Sequence, residues 1–381
     1  MDFYRISNED KKVLCVAAQG IPAVAFAISI DAVYGSQGIA RTSLSIAYHI
    51  AEELKIVPTF IDSHDAEEFP VQAPRSLLVG INVPDTAWGI YSDRFLSIGA
   101  NDFSRYKFAS FCDFVLSPYF NPVFRVVSQV PPVDQRVIAY TCAPSHIRST
   151  VPQKKRLSRA QRKKRSKPKK QRIVAVYVRH IDDAPLLGLL STCEKLSKTK
   201  GIRFLITTGH ASGYWESHWI GAVLADLSGS EFYDFNVHNG DNNPFVDYLK
   251  RADAIIVTDD TVSGLSDAVH SNKPVFLYAT NKPIVDVANP TLQGDGQIKY
   301  SHAERNGRLQ AQLLRQGRIQ IFSEKALLSA WRPPIYQEWR AIGAVIADEI
   351  EKRHRQIEQQ KPFLSRSWAL LQSALQKNDK F

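Results

Sequence analysis

Short apolar runs alternate with helix-length segments along both halves of the chain, and this alternation restricts its fold more than any other feature. Strands joined by crossover helices form parallel sheets, because a parallel connection needs a dozen or more residues. Six strands are predicted in the first half, at Val13–Ala18, Thr59–Asp62, Ser76–Val79, Phe95–Ile98, Phe114–Ser117 and Arg136–Thr141. Five are predicted in the second half, at Ile173–Val178, Arg203–Thr207, Glu231–Phe235, Ala254–Val257 and Pro274–Tyr278. The pattern predicts an α/β protein with two Rossmann-like lobes whose parallel sheets face a cleft.

Four further segments have the spacing of helices. Ile39–Leu54 carries apolar residues every three or four positions, and Pro185–Lys198 fits between two strands of the second half. Leu265–His270 is predicted to be a short helix, and the stretch Pro333–Lys377 to be mostly helical. One face of the last stretch is predicted to be buried, because apolar residues recur there at Trp339, Ile342, Ile346 and Ile350.

The stretch Val13–Ile30 has no charged residue, so a signal peptide or membrane span is weighed against a buried strand. Gln19, Gly20 and Pro22 interrupt its apolar character. Acidic residues precede it at Asp2, Glu9 and Asp10, which is atypical of a signal peptide. These features favour a buried first strand and its turn.

Positive charge is concentrated in one segment. Of the 48 Lys and Arg residues, 12 lie between Lys154 and Arg172, and the rest of the chain holds 36 basic and 38 acidic residues. The segment has no acidic or aromatic residue, which predicts a flexible linker rather than part of a core. Three interpretations stay open: a solubilising insertion, attraction to an anionic membrane or phosphorylated glycolipid, and nucleic-acid binding. Nucleic acid is disfavoured as a partner because no aromatic residues are interleaved with the basic ones.

The four cysteines are widely separated, at Cys15, Cys112, Cys142 and Cys193. Without Cys-x-x-Cys spacing they indicate neither a disulfide framework nor a structural zinc site. Reduced thiols are the simplest interpretation, and a cytoplasmic protein is therefore expected.

A polar cluster directly follows the apolar run Ala254–Val257. It consists of Thr258, Asp259, Asp260, Thr261 and Ser263. In open parallel sheets, ligands bind beyond the carboxyl ends of strands, where helix N-termini offer amides. One or two such residues are explained as ordinary helix N-caps, but five exceed what a cap needs. The cluster predicts a site for a sugar-phosphate or a nucleotide, with capping as the alternative.

Motifs around this cluster resemble those of a known family. In chain order they are Asn243-Pro244-Phe245, Ala252-Asp253, the stretch from Val257 to Ala268, and Asn272-Lys273-Pro274-Val275. Their order and spacing are similar to those of the bacterial and plant ELM-one ("mitochondrial fission") proteins, which are regarded as glycosyltransferases of the GT-B type. Three loops depart from the family pattern. Gly35–Ile39 lacks a lysine and a histidine, Gly209–Gly213 lacks two arginines, and Pro118–Asn121 lacks a His-Asp pair.

The resemblance implies a GT-B-like fold and transfer of a sugar from a nucleotide-sugar donor to a cell-envelope glycan or lipid-linked acceptor. The nucleotide-sugar would be a substrate, so no cofactor is expected, and no metal is expected because an Asp-x-Asp motif is absent. Four parts are implied: an acceptor-side lobe at 1–150, the basic linker at 151–172, a donor lobe at 173–335 and C-terminal helices at 336–381.

In this interpretation the donor lies against the second lobe. The residues assigned to it are Asp260, Thr261, Ser263, Gly264, Ser266, Asp267, Asn243, His210 and Arg179. The loop hydroxyls and the amides from Gly264 onward would meet the diphosphate, and Ser266 and Asp267 would bind ribose or sugar hydroxyls. Arg179 and His210, each at a strand end, would supply positive charge to the leaving diphosphate.

Candidates for a general base in the first lobe are Asp31, His64 and Asp65, which lie near predicted strand ends. For each of them, a polar loop residue without a catalytic role is the favoured interpretation.

Two other functions are weighed. A non-catalytic interaction or scaffold protein on the same fold would explain the lost histidine and arginine loops. A dehydrogenase-like enzyme or nucleotide-sugar epimerase is disfavoured, because no Gly-x-Gly-x-x-Gly follows the first strand. The protein is expected to be cytoplasmic, and attraction of the basic segment to an anionic membrane, one of its three interpretations, would place the protein peripherally at the inner face of that membrane.

Overall fold

A computed structural model describes residues 24–28, 37–58, 60–62, 77–82, 95–100, 113–118, 136–145, 171–179, 181–209, 212–227, 229–238, 243–279, 302–356 and 359. The described residues form two sheets of six strands each, and the chain divides into two compact units, each built around one sheet. The strand pairs whose register is described are parallel in both sheets. The predicted α/β class with two Rossmann-like lobes is therefore confirmed.

The first unit is built on strands β1 to β6, with the order β2-β1-β3-β4-β5-β6. The strands are β1 (Val24–Ile28), β2 (Phe60–Asp62), β3 (Leu77–Ile81), β4 (Phe95–Ala100), β5 (Phe114–Pro118) and β6 (Arg136–Tyr140). Helix α1 (Gln37–Leu54) lies between β1 and β2 in the chain and buries Ile46, Ala47 and Ile50. The strand predicted at Val13–Ala18 lies outside the described residues, and β1 falls later in the same uncharged stretch.

The second unit is built on strands β7 to β12. They are β7 (Ile173–Val178), β8 (Arg203–Thr208), β9 (Glu231–Tyr233), β10 (Ala254–Thr258), β11 (Val275–Tyr278) and β12 (Gln320–Ile321). Its helices are α2 (Asp183–Lys200), α3 (Tyr214–Ala225), α4 (Phe235–His238), α5 (Phe245–Arg251), α6 (Val262–His270), α7 (His302–Arg315) and α8 (Glu324–Leu328).

The strand order of the second sheet is β12-β11-β10-β7-β8-β9, so the chain runs outward from β7 on one side and then crosses to β10 on the other. This is the order of the doubly wound dinucleotide-binding fold. The neighbours β7 and β10 form its topological switch point, where ligands bind beyond the strand ends in such sheets.

Alternate residues of β7 point into one apolar core. Val174, Val176 and Val178 are buried against apolar residues of α2, namely Leu186, Leu189, Leu190 and Cys193. Because side chains alternate along a strand, Tyr177 lies on the opposite face of the sheet. Helix α2 ends at Gly201, which adopts a left-handed conformation (φ 63°) and donates from its amide to Ser197 O.

A last helix, α9 (338–356), returns to the first unit. Its predicted buried face is confirmed, because Trp339, Ile342, Ile346 and Ile350 are all buried. Trp339 stacks on His49 of α1 with ring centroids 5.8 Å apart, and Arg353 Nη2 lies 2.6 Å from Asp113 Oδ1. The predicted start at Pro333 is too early, since residues 330–337 are not helical. Within the described ranges, no helix is both long and apolar enough to cross a membrane.

Candidate functional site

Two strand ends are joined at the switch point of the second sheet. Arg179, the residue after β7, donates from its backbone amide to Thr258 Oγ1 at the end of β10 (3.1 Å). The Arg179 side chain continues across the turn, and its Nη1 donates to Asp260 O (3.2 Å). The structure thus brings a predicted cationic residue into contact with the predicted polar cluster, although they are about 80 residues apart in the chain.

The polar cluster supplies the N-cap of helix α6. Thr261 is the N-cap residue, and its hydroxyl accepts a hydrogen bond from the amide of Gly264 (3.1 Å). Thr261 is buried, Asp260 is half-buried and Ser263 is exposed in the first turn. The N-terminal end of a helix carries partial positive charge, so this turn favours an anion beside it.

The Tyr177 ring lies against the first turn of α6. A Cβ atom placed on Gly264 would lie 2.8 Å from Tyr177 Cε1, and one placed on Gly209 would lie 2.6 Å from the Tyr177 hydroxyl. The ring also contacts Phe245, with centroids 4.9 Å apart. The two glycines therefore leave space for Tyr177, which supports the helix start from the side of the sheet.

The loop after β8 is tied to β7. The Gly209 amide donates to Val178 O (2.9 Å), and the buried Ser212 hydroxyl donates to the same oxygen (3.2 Å). Asn236 Nδ2 donates to Ser212 O and holds this loop from the side of α4. The loop carries the predicted His210, which lies outside the described residues.

Helix α7 contributes a residue that the sequence analysis did not identify. Gln310 is buried, and its Nε2 donates to Asp259 O in the turn that leads into α6. Asn306, one turn earlier, is also buried. The packed side of α7 therefore carries two amide groups beside the buried Leu309 and Leu313.

Three predicted donor residues have protein partners in the structure. Asn243 Oδ1 accepts from the amide of Phe245 (2.9 Å) and so holds the start of α5. The buried Ser266 hydroxyl accepts from the amide of Ala143 (3.1 Å), and Asp267 is buried next to it in the same helix. The contacts of Asn243 and Ser266 are with backbone amides that lie near the cluster, and Asp267 is buried beside Ser266.

The Lys273 side chain binds the protein backbone. Its Nζ donates to the backbone oxygens of Leu249, Lys250 and Ala252, each at 2.6 Å. These are carbonyls at the C-terminal end of α5, where a cation is favourable. The Lys-Pro-Val motif therefore secures the helix that precedes β10.

The candidates for a general base, Asp31, His64 and Asp65, lie outside the described residues, as does the basic segment up to Lys170. Among the residues that are described, no group of three or more His, Cys, Asp and Glu side chains is placed to hold a metal ion.

The fold and this cluster define a Rossmann-like α/β protein with polar side chains gathered at the switch point of its second sheet. The sequence model of the mitochondrial fission ELM1 family matches residues 128–353, more than half of the chain. The chain belongs to this family, and the resemblance predicted from the motifs is confirmed. No curated protein matches the chain in sequence.

Solved structures with similar folds have low sequence identity to this chain. UDP-GlcNAc 2-epimerase from Neisseria meningitidis bound to UDP-GlcNAc is 10% identical with a TM-score of 0.42, covering 88% of this chain and 93% of that one. A glycosyltransferase from Rickettsia africae is 12% identical with a TM-score of 0.37, covering 90% and 98%. Acinetobacter baumannii MurG is 10% identical with a TM-score of 0.34, covering 88% and 91%.

Proposed function

We propose that this protein is a glycosyltransferase that binds a nucleotide-sugar at the switch point of the second sheet and transfers the sugar to a glycan or lipid-linked acceptor. One observation carries the proposal. The backbone amide of Arg179 binds Thr258 Oγ1 at the end of β10, and its guanidinium binds the backbone oxygen of Asp260 in the turn before the N-terminus of α6. A guanidinium and a helix start are thereby combined where ligands bind in this type of sheet.

The chemistry of sugar transfer requires positive charge at the leaving diphosphate. Negative charge grows on the diphosphate as the glycosidic bond breaks, and fixed donors directed at it stabilise the transition state. Arg179 supplies a permanent charge, and the first-turn amides of Val262 and Ser263 supply oriented dipoles. The Thr261 cap and the Tyr177 ring hold this turn in place before the donor arrives.

The Asp260 carboxylate has a different role in the proposal. A carboxylate beside a phosphate is repulsive, whereas it accepts hydrogen bonds from hydroxyl groups. We therefore assign its side chain to a ribose or sugar hydroxyl, while its backbone oxygen orients Arg179. Asn243, Ser266 and Asp267 position the surrounding loops, and His210 stays a second candidate for a phosphate contact.

Binding of nucleotides tests the proposal directly. Calorimetric titration with UDP, GDP, and their hexose and N-acetylhexosamine derivatives should show one ligand that binds the wild-type protein. Arg179→Ala should weaken that binding about tenfold to a hundredfold, because a charge-assisted contact is lost. Arg203→Ala is the matched control, since Arg203 begins β8 at the opposite edge of the sheet, and it should leave affinity within about twofold.

Transfer itself is tested with the ligand that binds, by following release of the free nucleoside diphosphate in the presence of membrane extract as an acceptor source. Absence of binding by every nucleotide, or equal losses in the arginine variant and its control, would refute the proposal.

A non-catalytic interaction protein is the second candidate. The observation that favours it is that Thr261, Asn243 and Ser266 already have protein partners that account for their presence. This candidate predicts no nucleotide binding, and a partner in pull-down experiments whose capture depends on the segment 154–172 and is unaffected by Asp260→Ala.

A further inference from the structure

The turn between β10 and α6 is held through two of its backbone carbonyl groups. Asp259 O accepts a hydrogen bond from Gln310 Nε2 on α7, and Asp260 O accepts one from Arg179 Nη1 after β7 (3.2 Å). The next residue, Thr261, is the N-cap of α6. Two consecutive peptide groups directly before the helix are therefore fixed by side chains from two different elements, 51 and 81 residues away in the chain.

Gln310 is a polar residue at a position where packing alone favours an apolar one. It is 3% exposed, and the buried residues beside it on α7 include Leu309 and Leu313. Burying an amide costs free energy unless it is hydrogen-bonded, whereas a leucine or methionine would fill a similar volume without that cost. The hydrogen bond to Asp259 O accounts for the amide, so contact with the turn is what distinguishes Gln310 from its apolar neighbours.

The direction of these carbonyls determines how the turn is presented. A peptide group is planar and trans, so its C=O and N–H point in opposite directions. With Asp259 O held against α7, the partial negative charge of this oxygen faces an amide donor, and the Asp260 amide points the opposite way. The following carbonyl, Asp260 O, orients the Arg179 guanidinium. Because consecutive peptide planes share one Cα atom, a change in the first plane is passed to the second.

We propose that Gln310 is a positioning residue of the donor site: by holding Asp259 O it sets the turn that orients Arg179 and begins α6, and so raises the affinity for the diphosphate of a nucleotide. This inference rests on the proposed function, because it requires a diphosphate at this turn. Gln310 acts through the backbone of Asp259 and Asp260, not through a contact with the ligand.

The proposal requires a hydrogen-bond donor at position 310, and two substitutions change that property. Gln310→Met keeps the approximate volume and removes the donor. Gln310→Glu keeps the shape, but its carboxylate is an acceptor that repels Asp259 O, whereas the protonated carboxyl group donates a hydrogen bond. Burial raises the pKa of a carboxyl group above its ordinary value of about 4.3. Affinity lost by Gln310→Glu at about pH 8 should therefore return at about pH 5.5.

Calorimetric titration of the full chain with UDP and with GDP measures these effects, each variant being compared with the wild type at the same pH. Gln310→Met should bind about fivefold to fiftyfold more weakly at both pH values. Gln310→Glu should bind at least about tenfold more weakly at about pH 8 and within about threefold of the wild type at about pH 5.5. Gln312→Met and Gln312→Glu are the matched controls on the same helix, because Gln312 Oε1 accepts from Arg315 Nη2 (3.2 Å). Both controls should stay within about twofold of the wild type.

The outcomes separate the role of Gln310 from the proposed function. If the wild type binds neither nucleotide, both are overturned. If the wild type binds and Gln310→Met keeps its affinity within about twofold, the role of Gln310 alone is overturned, even where the thermal midpoint of the variant is lowered. Equally weak binding by Gln310→Glu at both pH values also overturns that role, because a loss of packing is not reversed by protonation.

Discussion

The aromatic ring of Tyr177 and the backbone of Gly264 are in direct contact. A Cβ atom at position 264 would lie 2.8 Å from Cε1 and 2.9 Å from Cδ1 of that ring. Real Cβ atoms essentially never approach another atom so closely, so a larger residue at 264 forces the ring or the helix start to move. The glycine in the first turn of α6 is thus explained by a protein side chain, whether or not a ligand also approaches it.

Gly264→Ala should destabilise the protein by about 1–3 kcal/mol because of this overlap. Gly221→Ala is the matched control within α3, where the new Cβ would meet Phe232 at an ordinary 3.9 Å. There the substitution should be neutral or stabilise by up to about 1 kcal/mol, because alanine loses less backbone entropy in a helix. Urea unfolding of both variants measures the difference, and equal stabilities would contradict the contact.

Tyr177 faces Gly209 with its hydroxyl oxygen and Gly264 with its ring carbons, so removing the hydroxyl tests the two contacts separately. A Cβ at Gly209 would lie 2.6 Å from that hydroxyl oxygen, while its next contacts are at 3.3 Å. Gly209→Ala should therefore be destabilising alone and largely rescued by Tyr177→Phe, which removes the oxygen. Gly264→Ala should gain nothing from Tyr177→Phe, since the ring carbons remain. A double-mutant cycle on unfolding free energies measures both couplings.

Lys273 should matter for stability more than for binding. Lys273→Met removes three hydrogen bonds to backbone oxygens at the C-terminal end of α5 and should cost about 1–3 kcal/mol. Lys325→Met, at an exposed position on α8, is the control and should change stability by less than about 0.5 kcal/mol. If any nucleotide affinity found for the wild type falls by much more than tenfold in Lys273→Met, Lys273 contacts the ligand instead.

Glu231 should make stability depend on pH in the acid range. The hydrogen bond from Arg251 lowers the pKa of Glu231 below its ordinary value of 4.5. A lowered pKa in the folded state stabilises the protein above the ordinary pKa, and the contribution is lost as the pH falls through the folded value.

Glu231→Gln should therefore be less stable than the wild type at about pH 7, by under about 1 kcal/mol because the pair is partly exposed, and the difference should become smaller at about pH 3, below the ordinary pKa of 4.5. Urea midpoints at both pH values measure it. Glu194→Gln, which removes an exposed partner of Lys198, is the control and should show a smaller stability difference from the wild type. A stability difference between Glu231→Gln and the wild type that grows as the pH falls would contradict the lowered pKa of Glu231.

Local patterns predicted most strands and the helices with a clear apolar period. The strand predicted at Ile173–Val178 has those limits in the structure, and Ala254–Val257 is extended by one residue to Thr258. The strand predicted at Glu231–Phe235 stops at Tyr233, because Asp234 Oδ1 accepts from the amide of Asn236 and starts helix α4. That prediction was wrong at its end, and the Asp-Phe-Asn sequence was the signal for a turn.

There is a physical reason why helix α3 was not predicted from the sequence. Its exposed side carries Tyr214, Trp215 and Trp219, so apolar residues surround the helix and hide the period that marks an amphipathic helix. Helix α7 was also missed, and the residue it places at the polar cluster, Gln310, is recognisable as important only once its contact with Asp259 is known.

The sequence by itself determined the class of fold, the location of the polar cluster after β10 and the family, because periodicity, capping residues and motif spacing depend on neighbours a few positions apart. Only the tertiary structure decided which side chains meet there. Arg179 reaches Asp260, Ser266 receives the amide of Ala143, and Tyr177 fits between Gly209 and Gly264, because the strand order places β7 between β8 and β10. Strand order depends on pairing between distant segments, which no local pattern encodes.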